Sequence, residues 1–205
     1  MITVIIIIIT VIISWLCFSD SNLFDKFSLR PLEIIKRKQF YRIVSHALVH
    51  NNWQHLLFNM FTLFFIGMHV EQLCLDIFEQ NYILIFLLIY IGGAIFASGY
   101  SIYSNRNNPL YTAVGASGAV SAIVFAFILF EPRQKLYLFA LPIGIPSYIF
   151  GILFIMTSLY LAKKNNDAIA HDAHISGAIW GFILPILFRP DLFSQFIFQI
   201  FNYNR

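Results

Sequence analysis

The sequence predicts an all-α membrane protein, a single bundle of six membrane-spanning helices. Of its 205 residues, 59% are hydrophobic and only 11% are charged, whereas soluble domains carry about 25% charged residues. The mean hydropathy is +0.75, and a soluble chain of this length cannot bury so much apolar surface. Six stretches approach the roughly 20 apolar residues that a spanning helix needs. They cover about residues 2–18, 53–70, 82–103, 114–130, 146–162 and 170–188.

The first stretch, residues 2–18, lacks the basic start and the small-residue cleavage site of a signal peptide, so we expect it to remain as a span. A polar connection of about 30 residues follows it, and connections of that length are often functional. The second and third spans, 53–70 and 82–103, come next, and the third is rich in glycine and alanine.

The last three spans are delimited by proline and charged residues. The fourth, 114–130, stops at Glu131-Pro132. The fifth is expected to begin near Pro146, because proline is tolerated in the first turn of a helix. The sixth, 170–188, ends before Arg189-Pro190, and the aromatic tail after it is expected at the membrane interface.

Polar residues cluster where the even-numbered spans begin. Successive spans alternate in direction, so the N-terminal ends of spans two, four and six share one face of the membrane. The residues concerned are His50, His55, Asn59, Ser117, His171 and His174. The fourth span is about 25 Å long, less than the roughly 30 Å of hydrocarbon. We therefore expect Ser117 below the surface, under a water-filled depression.

Ser117 lies in the run Gly115-Ala116-Ser117-Gly118. Glycine permits an unusual turn and a close approach of other backbone. The N-terminus of a helix favours an anion, such as a developing oxyanion. Taken alone, the run is more typical of a helix cap or of a packing residue between membrane helices than of a nucleophile.

His174 lies beside a stripe of small residues that would let helices pack closely. Span six carries Ala173, Gly177 and Gly181, and span four carries Gly118, Ala122 and Ala126. If these stripes meet, Ser117 and His174 come within hydrogen-bond reach. An ionisable residue inside the membrane indicates function, and a capping or structural histidine is the alternative.

The arrangement favours a dyad over a triad. Asp172 is two residues from His174, about 200° around the helix, and points away. Asp167 lies in a loop. A histidine alone can take the serine proton and later protonate the leaving amine.

Span two offers further polar groups. His55 and Asn59 share a helix face, and His50 precedes them; His and Asn side chains can donate to an oxyanion. The spacing is not His-Glu-x-x-His, but a metal or haem site using several of the six histidines remains an alternative.

The remaining composition excludes other classes. The formal charge is only +3, and the basic residues are not interleaved with aromatics, so no nucleic-acid partner is expected. Cys17 and Cys74 fall on opposite sides of the bilayer, and we expect no disulfide. A transporter would call for acids in mid-span, which the sequence lacks.

Three motifs in order resemble those of the rhomboid intramembrane serine proteases. They are His50-x4-His55-x3-Asn59, Gly115-x-Ser117-Gly118 and Ala173-His174-x2-Gly177-x3-Gly181. The resemblance extends from Tyr41-Arg42 to Gly181 and implies one rhomboid-like transmembrane domain over residues 1–205. It implies an endopeptidase without metal or cofactor, whose partners are transmembrane protein substrates and the lipid bilayer.

The resemblance also implies residue roles. Ser117 would be the nucleophile and His174 the base, and the N–H of Ser117 with the side chains of His50 and Asn59 would form the oxyanion hole. Structural support would come from His55, Glu71, Gly115, Gly118, Gly177 and Gly181. Tyr41-Arg42 would belong to a loop in the outer leaflet, and span five would be the lateral gate.

The chain departs from the family pattern in two respects. Many relatives carry an aromatic residue one turn after the serine, where this chain has Ser121. Most of its Lys and Arg lie on the catalytic side, so the positive-inside rule would place the site in the cytoplasm. The resemblance to bacterial members implies instead the extracytoplasmic face of the inner membrane. The alternative function is a catalytically silent rhomboid-like protein that binds membrane proteins or serves their quality control; such relatives usually lose the serine or the histidine.

Overall fold

A computed structural model describes residues 1–137, 144–164 and 171–202, and the chain is mostly helical there. The helices are α1 Ile2–Ser19, α2 Ser21–Phe27, α3 Pro31–Arg37, α4 Arg42–Ser45, α5 Trp53–Thr62, α6 Met68–Phe78, α7 Tyr82–Ser104, α8 Ser117–Phe130, α9 Ser147–Lys164, α10 His171–Phe188 and α11 Asp191–Phe201. Some residues named in the sequence analysis lie outside the described residues: Pro142, Asp167, residue 170 and the side chain of His171.

Within the described residues, two helical stretches are long and apolar enough to cross a membrane: Ile2–Ser19 and the run Trp53–Ser104. The run includes a π-helical segment, Leu63–Gly67, between α5 and α6, and a 3-10 turn, Glu79–Asn81, between α6 and α7. Because α6 packs against α7, the chain reverses at that turn. A third candidate span arises if α10 and α11 are counted together across their 115° bend, and the apolar segments Ser117–Phe130 and Ser147–Ala162 are shorter.

Several elements differ from the sequence-based expectation. The second predicted span, 53–70, continues to Phe78. The fourth begins at Ser117 rather than at residue 114, because Gly115 takes a φ of +121° that a helix does not permit. Before span five the chain forms a two-stranded antiparallel sheet, β1 Lys135–Tyr137 with β2 Gly144–Pro146. The long first connection, for which no helix was predicted, contains three short α-helices.

The helix α8 forms the centre of the bundle. Every residue from Gly118 to Phe130 is buried, and nearly all are apolar, as expected of a helix that is surrounded on all sides. Its neighbours include α7, α9, α10 and the π-helical segment. The residue that begins α8 is therefore placed by contacts on several sides.

Small residues allow α8 to pack unusually close to α7 and α10. A Cβ added to Gly181 would lie 2.5 Å from the carbonyl carbon of Ala122, and one added to Gly177 would lie 2.9 Å from that of Gly118. Ordinary carbon contacts are about 3.5–4.0 Å. A Cβ on Gly93 of α7 would similarly meet Ala122. Glycine at these positions is therefore needed for the observed helix separation.

The helix α1 turns its polar side toward the bundle. Thr3, Thr10, Ser14 and Cys17 are its buried residues, while isoleucines such as Ile5 and Ile12 are about half exposed. Such a distribution suits a helix whose outer face contacts lipid. At its start the backbone N–H groups of Ile2 and Thr3 donate to the carboxylate of Glu71, over 2.7 and 2.9 Å.

Candidate active site

The first connection forms a scaffold around the buried guanidinium of Arg42. Its Nη1 donates to the carbonyls of Asp25 and Ser28, over 2.5 and 2.8 Å, and its Nε donates to the side chain of Gln39. Arg42 also lies over the ring of Tyr41, at 5.5 Å. A planar guanidinium with several fixed donors can tie together backbone segments in this way. The scaffold orients the segment that carries His46 and His50.

This scaffold is joined to the turn that precedes Ser117. Leu29 and Ala113 exchange two backbone hydrogen bonds, of 2.9 and 3.1 Å. The N–H of Gly115 donates to the carbonyl of His46 over 2.9 Å. Residues that are far apart in the chain therefore fix the path of the backbone into α8.

Gly115 is required at this turn for two reasons. Its φ of +121° lies in the region that disfavours residues with a Cβ. A Cβ on Gly115 would also lie 2.5 Å from Cε1 and 2.8 Å from Nε2 of His55. The imidazole of His55 thus occupies the space above the glycine, which ties the start of α5 to the start of α8.

Ser117 is the first residue of α8. The first hydrogen bond of the helix runs from the N–H of Val120 to the carbonyl of Ala116, over 2.8 Å. The N–H groups of Ser117 and Gly118 are thus among those that have no partner within the helix, and the helix dipole favours a negative charge beside them. Ser117 is half-buried, unlike the fully buried residues that follow it.

His50 is completely buried and hydrogen-bonded on both ring nitrogens. Its Nδ1 lies 2.9 Å from Oγ of Ser14, and its Nε2 accepts from the N–H of Ala116 over 3.3 Å. Burial lowers the pKa of His50 to about 3, with a smaller contribution from His55. The ring is therefore neutral at physiological pH, and in this arrangement Nε2 is an acceptor.

His55 and Asn59 lie one turn apart on α5. The ring of His55 meets that of His50 edge to face, with 4.9 Å between centroids. Asn59 is buried, and its Nδ2 donates one hydrogen to the carbonyl of His55 over 2.9 Å. An amide has two such hydrogens, so a second is available for another acceptor.

The structure brings the neighbours of Ser117 and His174 into contact. A Cβ on Gly118 would lie 3.5 Å from the carbonyl oxygen of Ala173, and Gly177, one turn beyond His174, packs on the backbone of Gly118. The starts of α8 and α10 therefore meet side by side, and His174 is half-buried at this junction. Asp172, on the first turn of α10, accepts from Ser176 Oγ through its backbone carbonyl.

An aromatic ring lies near His174, although Ser121 is not aromatic. Phe154 of α9 packs with its ring centroid 6.1 Å from that of His174, and 5.6 Å from that of Phe125. Sequence reasoning missed Phe154. In the middle of a uniformly apolar span, the sequence does not indicate which neighbouring helix a side chain faces. Ser121 itself is buried.

His46 is the other buried histidine of the region, beside His50. Burial lowers its pKa to about 4, although bonds with the backbone of Arg42 and Ile43 oppose that shift. Its Nδ1 lies 3.2 Å from the carbonyl of Arg42. Within the described residues, no three His, Cys, Asp or Glu side chains converge as metal ligands.

Comparisons with known proteins show which family the chain resembles. Residues 37–191 match the rhomboid domain. The chain is 26% identical over 180 residues to RHOMBOID-like protein 12, mitochondrial, of Arabidopsis thaliana, covering 82% of this chain and 52% of that protein. It is 28% identical over 167 residues to Rhomboid protease AarA of Providencia stuartii, covering 73% and 56%. It is 28% identical over 150 residues to Rhomboid protease GlpG of Haemophilus influenzae, covering 71% and 70%.

The apolar helices and the polar cluster at the helix starts define an integral membrane protein with a site built between helices. The chain belongs to the rhomboid family, whose domain matches about three quarters of its length. It spans about half the length of the first two relatives. Of the three relatives, two are named rhomboid proteases and one is named rhomboid-like.

Proposed function

We propose that this protein is an intramembrane serine endopeptidase that cleaves transmembrane segments through a Ser117–His174 dyad. The observation that supports this most is the junction of α8 and α10, where Gly118 packs on Gly177 and lies beside Ala173. Ser117 and His174 are the neighbours of these contacting residues and lie at the same end of the helix pair. Membership of the rhomboid family, with relatives named proteases, supports the same activity.

In the proposed reaction, His174 takes the proton of the Ser117 hydroxyl as Oγ attacks the scissile carbonyl. The carbonyl π electrons move onto oxygen and form a tetrahedral oxyanion. The imidazolium then gives its proton to the leaving amine as the C–N bond breaks. Water releases the acyl group by the same steps, with His174 again as base.

The oxyanion would be held by a backbone donor at the start of α8 and a side-chain donor of α5. The N–H of Ser117 makes no hydrogen bond within the helix. The buried amide of Asn59 uses one of its two Nδ2 hydrogens on the carbonyl of His55 and can donate the other. His50 was expected to donate as well. Its Nε2 accepts from Ala116 in this structure, so a donor role would require that bond to break and Nε2 to gain a proton.

The short central helix supports an active site below the lipid surface. The 14 residues of α8 span about 21 Å, against roughly 30 Å of hydrocarbon. If Glu131 lies at one surface, Ser117 lies several ångströms below the other. We propose six crossings in one rhomboid-like domain over residues 1–205, in a bacterial inner membrane with the site facing the extracytoplasmic side.

The proposed substrates are membrane proteins whose spanning helix unwinds easily near that face. Backbone groups in lipid must stay paired, so a scissile peptide becomes accessible only where the helix is weak. The helix α9, which lies against α8 and α10, is the proposed gate past which the substrate enters.

The test compares wild type with Ser117→Ala and His174→Ala in liposomes, using a fluorogenic transmembrane substrate. We expect cleavage by wild type only, and labelling of Ser117 by a fluorophosphonate. Gly99→Ala is the matched control, because nothing lies within 4 Å of a Cβ at that position. Equal cleavage by wild type and Ser117→Ala would refute the proposal. A folded wild type that neither cleaves nor labels would indicate the silent binding protein instead.

A further inference from the structure

Ser14 of α1 lies against the site, although it is 36 residues from its partner. Its hydroxyl is within hydrogen-bond distance of two groups, the carbonyl of Leu48 and Nδ1 of His50, each at 2.9 Å. Both Ser14 and His50 are 0% exposed. Among the buried polar residues of α1, Ser14 is the one that reaches a residue beside the catalytic turn.

The hydrogens of this network can be assigned by elimination. The carbonyl of Leu48 can only accept, so it takes the single hydroxyl hydrogen of Ser14. Oγ of Ser14 must then accept from His50, which places the ring hydrogen on Nδ1. In a neutral imidazole the other nitrogen is bare. That matches Nε2 of His50, which accepts from the N–H of Ala116.

We propose that Ser14 is a positioning residue that holds His50 in its Nδ1–H form, and that His50 in turn holds the peptide of Ala116. This inference rests on the proposed proteolysis, because its consequence falls on Ser117. The N–H of Ala116 is tied down by His50, and that of Gly115 by the carbonyl of His46. The next N–H along the chain, that of Ser117, is thereby aimed at the oxyanion position.

The chain of contacts has a further consequence for α1. This helix lies at the edge of the bundle and makes few contacts with α8. Through Ser14 and His50 it nevertheless reaches the turn that carries the nucleophile. Displacement of α1 would therefore disturb the oxyanion hole without touching Ser117 directly.

The first experiment determines the tautomer of His50 in the full-length protein. Histidine is labelled with nitrogen-15, and the His50 signals are identified by their loss in a His50→Gln variant. Couplings to the ring carbon hydrogens report which nitrogen is protonated. We expect Nδ1–H in wild type and in Ser14→Thr, which keeps the hydroxyl, and a mixture of tautomers in Ser14→Ala. A protonated Nε2 in wild type, or an unchanged tautomer in Ser14→Ala, would overturn the proposal.

The second experiment measures cleavage kinetics. Loss of one buried hydrogen-bond partner is expected to lower kcat about 10-fold in Ser14→Ala, with KM little changed, because positioning acts on the transition state. Ser14→Thr should restore most of the rate. Thr10→Val is the matched control: it removes a buried hydroxyl from the same helix, one turn from Ser14, and should keep the wild-type kcat.

The outcomes separate this inference from the proposed function. If wild type fails to cleave, the proteolysis proposal fails, while the tautomer still decides whether Ser14 controls His50. If wild type cleaves and Ser14→Ala has the same kcat, the positioning role is refuted. If Ser14→Ala does not fold, the proposal is tested by three other measurements: the tautomer of His50 in wild type, and the values of kcat of Ser14→Thr and Thr10→Val.

Discussion

The close packing of α10 on α8 predicts that one methyl group far from the chemistry should disable the site. In Gly181→Ala the new Cβ would lie 2.5 Å from the carbonyl carbon of Ala122, about 1 Å inside an ordinary carbon contact of 3.5 Å. The neighbour is backbone of a buried helix and cannot rotate away. The helices must therefore separate by about 1 Å.

That separation would move His174, which lies two turns before Gly181 on the same helix. A misplacement of about 1 Å can cost about 100-fold in rate, so we expect kcat to fall by that order. Overpacking of a dense core costs about 1–3 kcal/mol of stability, so the melting temperature should fall as well.

The assay is cleavage of a fluorogenic transmembrane substrate in liposomes, at a temperature where thermal unfolding shows the variant to be folded. Gly99→Ala is the control: its Cβ meets nothing within 4 Å, and alanine favours a helix over glycine by about 1 kcal/mol. Its rate should stay near wild type. A folded Gly181→Ala protein with the wild-type rate would show that the close approach of α8 and α10 does not set the catalytic geometry.

Two further predictions concern the surroundings of the dyad. Phe154→Ala removes a ring 6.1 Å from that of His174, and since an aromatic pair contributes about 0.5–1.5 kcal/mol, kcat should fall about 2- to 10-fold. Tyr160→Ala, at an exposed position of the same helix, is the control, and equal rates for both would contradict the positioning of His174 by Phe154. The second concerns pH. Burial lowers the pKa of His46 to about 4 and that of His50 to about 3, so below about pH 6.5 the unfolded chain binds protons that the folded chain does not. Stability should then fall as pH drops from about 6.5 toward 4, by about 1.4 kcal/mol per unit for each histidine. Denaturation midpoints between pH 8 and 4.5 measure this, and His46→Gln should reduce the slope by about 1.4 kcal/mol per unit. A slope that is the same with and without His46 would contradict the assignment.

The family and much of the fold could be predicted from the sequence. The family assignment was confirmed, because the three motifs are short, ordered and tied to helix starts. The all-α membrane class was confirmed in its coarse form, while the count of six crossings and the roles of Ser117 and His174 remain proposals. The boundaries of α1, α7 and α10 were close, since apolar runs end at charged or proline residues.

Other features could not be predicted from periodicity. The short helices of the first connection form around Arg42, whose partners are backbone carbonyls of Asp25 and Ser28 and carry no sequence signal. The β sheet before α9 pairs Leu136 with Ile145, within a stretch whose sequence looks like part of an apolar run. Neither strand shows the alternation of polar and apolar residues that would predict it.

The sequence by itself determined that this chain enters lipid and, to within a few residues, where its long helices begin. Lipid requires apolar side chains and internally bonded backbone, so composition and breaks along the chain carry that information. Only the tertiary structure decided that Ser14 contacts His50, that Phe154 lies near His174 and that His55 occupies the space above Gly115. These contacts depend on how each helix is rotated and tilted. In a uniformly apolar helix, only the small residues that allow close packing indicate which side faces a neighbouring helix.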